Sequence, residues 1–89
     1  MPTMEFIVRN RLGLHTRPAA ELVRIASRYE CRIAITNEKK TVNGKSIMSV
    51  MTLAANQGTA LTIEAVGTDA EEALVKISEL FASNFGEQH

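Results

Sequence analysis

The chain has 89 residues, 45% of them hydrophobic, and its ten basic side chains balance ten acidic ones to a formal net charge of zero. A chain this size buries roughly 60–70% of its unfolded surface, which suits one self-sufficient domain over residues 1–89 and excludes a second core. The zero balance argues against coating nucleic acid by bulk charge, no apolar run approaches the about 18 residues of a membrane span, and the opening MPTMEFIVRN lacks the apolar stretch of a signal peptide.

A soluble cytoplasmic domain is therefore expected. The single cysteine, Cys31, has no internal disulfide partner. It lies in the alternating segment CRIAI, as expected of a half-buried core thiol in a reducing compartment. The neutral total hides an asymmetry. Residues 1–45 carry nine basic and four acidic side chains, a net +5, and residues 46–89 carry one basic and six acidic, a net −5. Such a split fits a basic binding face balanced by acid elsewhere.

Met4–Val8 alternates, with Met4, Phe6 and Val8 on one face, which predicts a strand. Asn10 to His15 contains Gly13 and reads as a loop. From Thr16 the period changes, and Ala19, Leu22, Val23 and Ala26 predict a helix over about 16–28. Pro18 fits its first turn, where a backbone N–H has no helical acceptor. Cys31–Thr36 alternates again, and the polar turn Asn37–Lys39 leads into a short arm at Lys40–Val42, a hairpin. Ser46 stands at an N-cap position before Ile47, Met48, Val50, Met51 and Leu53, a helix of about two turns. Ala60–Val66 is a fourth strand, ended by Gly67. Thr68 and Glu71 have capping-box spacing, with Asp69 and Glu72 adding charge at the start of a last helix. That helix carries the stripe Ala73, Leu74, Ile77, Leu80 and Phe81 and stops near Phe85–Gly86.

The order is β-α-β-β-α-β-α. A right-handed crossover makes strands 1 and 2 parallel, and strand 4 then fits between them, antiparallel to both. The expected fold class is α+β: an open-faced two-layer β-sandwich with a four-stranded antiparallel sheet, order 1-4-2-3, covered by helices on one face.

His15 is the informative residue. The other histidine, His89, ends the chain and is expected to fray. His15 falls at the loop-to-helix joint in G-L-H-T-R-P, at or beside the N-cap, where histidine is not a favoured capping residue. The amides of Thr16 and Arg17 have no intrahelical acceptor, and with the helix dipole and the Arg17 guanidinium they form an anion site. The same donors would receive the charge of a phosphoryl group placed on the ring. The competing reading is an ordinary exposed loop histidine beside an arginine.

Ser46 is a second candidate. A phosphate there would add about two negative charges beside an apolar surface without unfolding the helix. The stretch Ile47, Met48 and Met51 is apolar on more than one side, so part of it is expected to be exposed, as an adaptable partner contact. Asn43–Ser46 has the look of a P-loop end, but that motif needs a glycine five positions before Gly44, and Lys39 stands there. No metal-ligand spacing exists, and so few aromatics give no stacking platform for nucleic acid.

G-L-H-T-R-P-A-A at 13–20 and K-S-I-M-S-V-M-T-L at 45–53, in this element order, closely resemble the HPr family, the histidine-containing phosphocarriers of the bacterial phosphoenolpyruvate-dependent phosphotransferase system. The resemblance covers essentially the whole chain. It implies a carrier rather than an enzyme, without cofactor, that takes a phosphoryl group on Nδ1 of His15 from enzyme I and passes it to a IIA component. Arg17 would neutralise the phosphoryl group, and Ser46 would be the regulatory site of an HPr kinase/phosphorylase. Thr16, Ala20, Arg24, Ile47, Met48 and Met51 would form the partner-docking surface of a monomer. Gly44 and Ser49 resemble the versions found in regulatory, nitrogen-type or incomplete systems more than those of sugar-transport members. The alternative function is accordingly a signalling module acting through phospho-Ser46 or phospho-His15, without sugar transport.

Overall fold

A computed structural model of the chain describes residues 2–86; His89 lies outside the described residues. The elements are β1 (Thr3–Ile7), α1 (Thr16–Ala26), β2 (Arg32–Asn37), β3 (Lys40–Asn43), α2 (Ile47–Met51), β4 (Ala60–Val66) and α3 (Ala70–Ala82), followed by a 3₁₀ turn at Asn84–Gly86. The sheet order is β1-β4-β2-β3 with every neighbouring pair antiparallel, as the crossover argument requires. Alternation explains why one face is covered and the other open. Phe6 sits opposite Leu61, Ile35 opposite Ile63 and Ile33 opposite Ala65, and all six are buried. On the other face Glu5, Thr62, Thr36 and Thr41 line up across the four strands, with Thr36 Oγ1 and Thr41 Oγ1 2.8 Å apart.

The inward face is covered by Ala19, Leu22, Val23 and Ala26 of α1 and by Ala73, Leu74, Ile77 and Phe81 of α3, all buried. Phe81 stacks on Phe6 at 4.6 Å between ring centres and meets Phe85 edge-on at 4.8 Å. Such aromatic pairs contribute about 0.5–1.5 kcal/mol each beyond the area they bury. The buried stripe of α1 sits in this core, against α3 and the turn after it.

Several local expectations need correction. The first strand runs Thr3–Ile7 rather than Met4–Val8; Met4, on the edge strand, is 40% exposed, and Val8 lies just beyond the strand and is fully buried. The first helix stops at Ala26 because the next amides tighten, Arg28 N–H donating to Ile25 O and Tyr29 N–H to Ala26 O, the i→i−3 pattern of a helix end. The second helix has five residues, shorter than two turns, and ends in similar short bonds through Ala54.

The last correction concerns the capping box, which does not form. Asp69, not Thr68, is the N-cap of α3, and its side chain makes no cap bond. The carboxylate instead accepts the Glu30 N–H at 2.9 Å and the Cys31 N–H at 3.0 Å, two amides left free where α1 gives way to β2. These bonds, first the one from Glu30, hold the Asp69 carboxyl below the usual carboxylate range. Burial, assisted by a hydrogen bond to Asp69, pushes the Cys31 thiol up, and Cys31 is fully buried rather than half-buried.

A depressed carboxyl stabilises the fold at pH values above its unfolded value, and that contribution is lost as pH falls through the folded value. Asp69→Asn is therefore expected to melt below wild type at pH 7, with the gap narrowing as pH drops below about 4. Thermal unfolding of both proteins between pH 7 and 3 checks this; a gap that stays constant would contradict it.

Candidate functional site

His15 is the N-cap of α1, in extended geometry at φ −80° and ψ −170°, and its side chain makes no cap hydrogen bond. Its carbonyl accepts the Ala19 N–H at 3.0 Å, the first bond of the helix. The ring is half-buried, while Thr16 and Arg17 are exposed. Pro18 has no N–H and is buried, locking the first turn against the core. No acidic residue stands in that first turn to offset the positive helix end. A helix start with no acid in its first turn is in general a favourable setting for an anion.

The segment leading into His15 is fixed by a second strand of chain. Leu14 is buried and its N–H donates to the Ala55 carbonyl at 2.8 Å. Gly13 turns at φ +71° and lies so close to the backbone of Ala55 and Asn56 that a Cβ would come within 2.5 Å of the Ala55 oxygen. His15 thus stands on two supports, the α1 stripe beneath it and the segment after α2 beside it. Ala55 and Asn56 carry no chemistry of their own, and sequence reading passed over them.

Ser46 is the N-cap of α2, as its position suggests. Its Oγ accepts the Ser49 N–H at 3.3 Å and its carbonyl accepts the Val50 N–H at 2.9 Å. The preceding turn is tied down by Lys45, whose N–H donates to Asn43 Oδ1 at 2.9 Å and whose Nζ donates to the Tyr29 carbonyl at the far end of α1. Gly44 fits closely against Ile33, where a Cβ would come within 2.7 Å of Cγ2. Ser46 therefore caps the end of α2 opposite to the end that holds Leu14.

The remaining candidates fall on α1 and α2, which pack against each other. Met48 is 80% exposed, Ile47 and Met51 are each 41% exposed, and Val50 alone among the α2 residues is buried. The expected apolar surface is thus present on the outside. Ala20 is half-buried. Arg24 is exposed, but its guanidinium lies 2.8 Å from the Glu21 carboxylate, a pairing that holds the Glu21 carboxyl below its usual range. The charge asymmetry does not divide the molecule into two halves. Arg9, Arg11, Arg17 and Arg24 gather on the loop before α1 and on α1, while Arg32, Lys39 and Lys40 lie on the β2–β3 hairpin. Glu71, Glu72 and Glu79 lie on α3, which packs beside α1 on the same side of the sheet. Among the described residues no group of three or more His, Cys, Asp or Glu side chains could hold a metal ion, and no helix is long and apolar enough to cross a membrane.

Comparison with known proteins places this arrangement. Residues 2–83 match the family PTS-HPr, described as the PTS HPr component phosphorylation site. The phosphocarrier protein HPr of Pseudomonas aeruginosa is 44% identical over 88 residues, covering 98% of each chain. A crystal structure of an HPr from Thermoanaerobacter tengcongensis superposes with a TM-score of 0.96 at 39% identity, covering 100% of both chains. A crystal structure of an HPr dimer from the same organism matches with a TM-score of 0.79 at 40% identity, covering 98% of this chain and 100% of that one. The shared fold, the extent of the match and its identity over nearly the whole chain lead to one conclusion: this chain belongs to the HPr family, the phosphocarriers of the phosphotransferase system.

Proposed function

We propose that the protein carries a phosphoryl group on Nδ1 of His15, taking it from phospho-enzyme I and passing it to IIA components. The observation that carries this reading is a histidine that caps a helix without using its ring as the cap. In the forward step the Nδ1 lone pair attacks phosphorus in line as the bond to the donor's nitrogen breaks. The reverse displacement delivers the group to the acceptor. The amides of Thr16 and Arg17 and the Arg17 guanidinium stabilise the charge on the equatorial oxygens, which is most of what such a transfer asks of a protein. Thr16, Ala20, Arg24, Ile47, Met48 and Met51 form the surface on which partners dock. One domain spanning residues 1–89 and acting as a cytoplasmic monomer suits a carrier that meets two partners through one face, although a relative crystallises as a dimer.

Incubation with enzyme I and phosphoenolpyruvate tests the reading. The expected product is a phosphoprotein that is acid-labile and alkali-stable, as a phosphoramidate is. A product stable in acid would contradict it.

Regulatory phosphorylation at Ser46, by an HPr kinase/phosphorylase, is the second reading. It is favoured by the half-exposed position of this serine at a helix start, next to Ile47 and the highly exposed Met48. A phosphate there changes the charge of the docking surface rather than the fold. If signalling through Ser46 or His15 is the main role, phosphorylation changes partner affinity in the absence of any sugar permease. Equal partner affinity with and without phosphate would count against it.

A further inference from the structure

The loop before α1 holds a leucine that the core does not use. Leu12 is 73% exposed, at the tip of a turn closed by the Gly13 N–H donating to the Asn10 carbonyl at 3.0 Å. This turn is anchored on several sides. Val8 exchanges backbone bonds with Gly58 and Thr59, and Gln57 Nε2 donates to the Arg9 carbonyl at 3.1 Å. Asn10 is fully buried and its Nδ2 donates to the Asn84 carbonyl at 3.1 Å, while Leu14 is tied to Ala55. Leu12 is thus held outward by a fixed backbone, three residues before His15. Arg9 and Arg11 beside it are exposed and have no ion pair among the described residues.

We infer that Leu12, with the exposed Arg9 and Arg11 close to it in the chain, is an anchor that inserts into an apolar hollow edged with carboxylates on the phosphoryl donor. The inference rests on the reading of His15 as the phosphoryl acceptor. A protein that approaches His15 along the α1 axis covers the turn that precedes it. Full burial of a leucine side chain in the complex is worth about 1.5–3 kcal/mol, or about tenfold or more in affinity. Two exposed guanidinium groups, without an ion pair among the described residues, would speed association with an acidic rim at low salt.

The test uses the full chain with enzyme I as phosphoryl donor and phosphoenolpyruvate. Leu12→Ala is expected to raise the KM for the carrier about tenfold and Leu12→Glu further, with kcat nearly unchanged. Their melting temperatures should stay close to wild type because the side chain is exposed. Arg9→Ala combined with Arg11→Ala should weaken the salt dependence of kcat/KM. Val75→Ala, another exposed apolar truncation, on α3, serves as the control and should leave KM unchanged. If wild type labels normally and both Leu12 variants keep its KM, the anchor is refuted while the carrier reading stands. If wild type does not label at all, both fall together.

Discussion

His15→Ala is expected to abolish phosphorylation by enzyme I and phosphoenolpyruvate while leaving the fold in place. The side chain makes no cap bond and Ala19 N–H bonds to the backbone carbonyl of residue 15, which alanine retains. The helix start should therefore survive, with a change in stability within about 1 kcal/mol and a shift in melting temperature of no more than about 4–8 °C. Labelling, by contrast, should drop to background, because the chain's other histidine, His89, lies outside the Gly13–Pro18 motif on which the reading rests. Arg17 and the two amides would remain, so the loss isolates the acceptor nitrogen from the anion site around it. Labelling of the variant at the wild-type level would sink the assignment.

Gly13→Ala should damage both fold and transfer. The residue sits at φ +71°, in the left-handed region that costs an L side chain roughly 1–2 kcal/mol. Its Cβ would lie 2.5 Å from the Ala55 oxygen and 2.9 Å from the Asn56 Cα, backbone atoms that cannot rotate aside. Forcing extra volume against fixed neighbours adds roughly 1–3 kcal/mol. Relief requires the Leu14–Ala55 bond to open, and that bond positions the next residue but one, His15. A melting temperature lower by about 10 °C or more follows, together with a transfer rate reduced by up to about 100-fold as the ring moves off line. Wild-type stability and rate in this variant would show that the segment after α2 does not position His15.

Most of the architecture was legible because it rests on local periodicity and one topological rule. The alternation at Cys31–Thr36 and Ala60–Val66 and the helical spacing from Ala19 to Ala26 are each set by which side chains must leave water. The position of β4 between β1 and β2 followed from crossover handedness. Asp69 shows where this stops. Thr68 and Glu71 satisfy the local spacing of a capping box, but the Glu30 and Cys31 amides, far away in sequence, need an acceptor and take the neighbouring carboxylate. No window of sequence contains both sides of that competition.

The site divides in the same way. His15, Arg17 and Ser46 could be placed at helix starts because caps are local signals, and the exposure of Met48 followed from an apolar run too wide for one buried face. The supports of His15 were not legible. Ala55 and Asn56 matter only for their backbone, and Leu12 read as one more loop residue until the anchored turn showed that it cannot fold inward. Arg24 was legible as a base on the exposed side of α1, but not its pairing with Glu21, which competes with any partner for the guanidinium.

Mapping the phosphate after incubation with enzyme I and phosphoenolpyruvate tests the central claim most directly. Digestion at alkaline pH followed by peptide mass spectrometry should place a single phosphoryl group on His15, and phosphorus NMR of the intact protein should show the Nδ1 isomer. Phosphate found on Ser46 or on any other residue under these conditions, or on Nε2 of His15, would contradict the account.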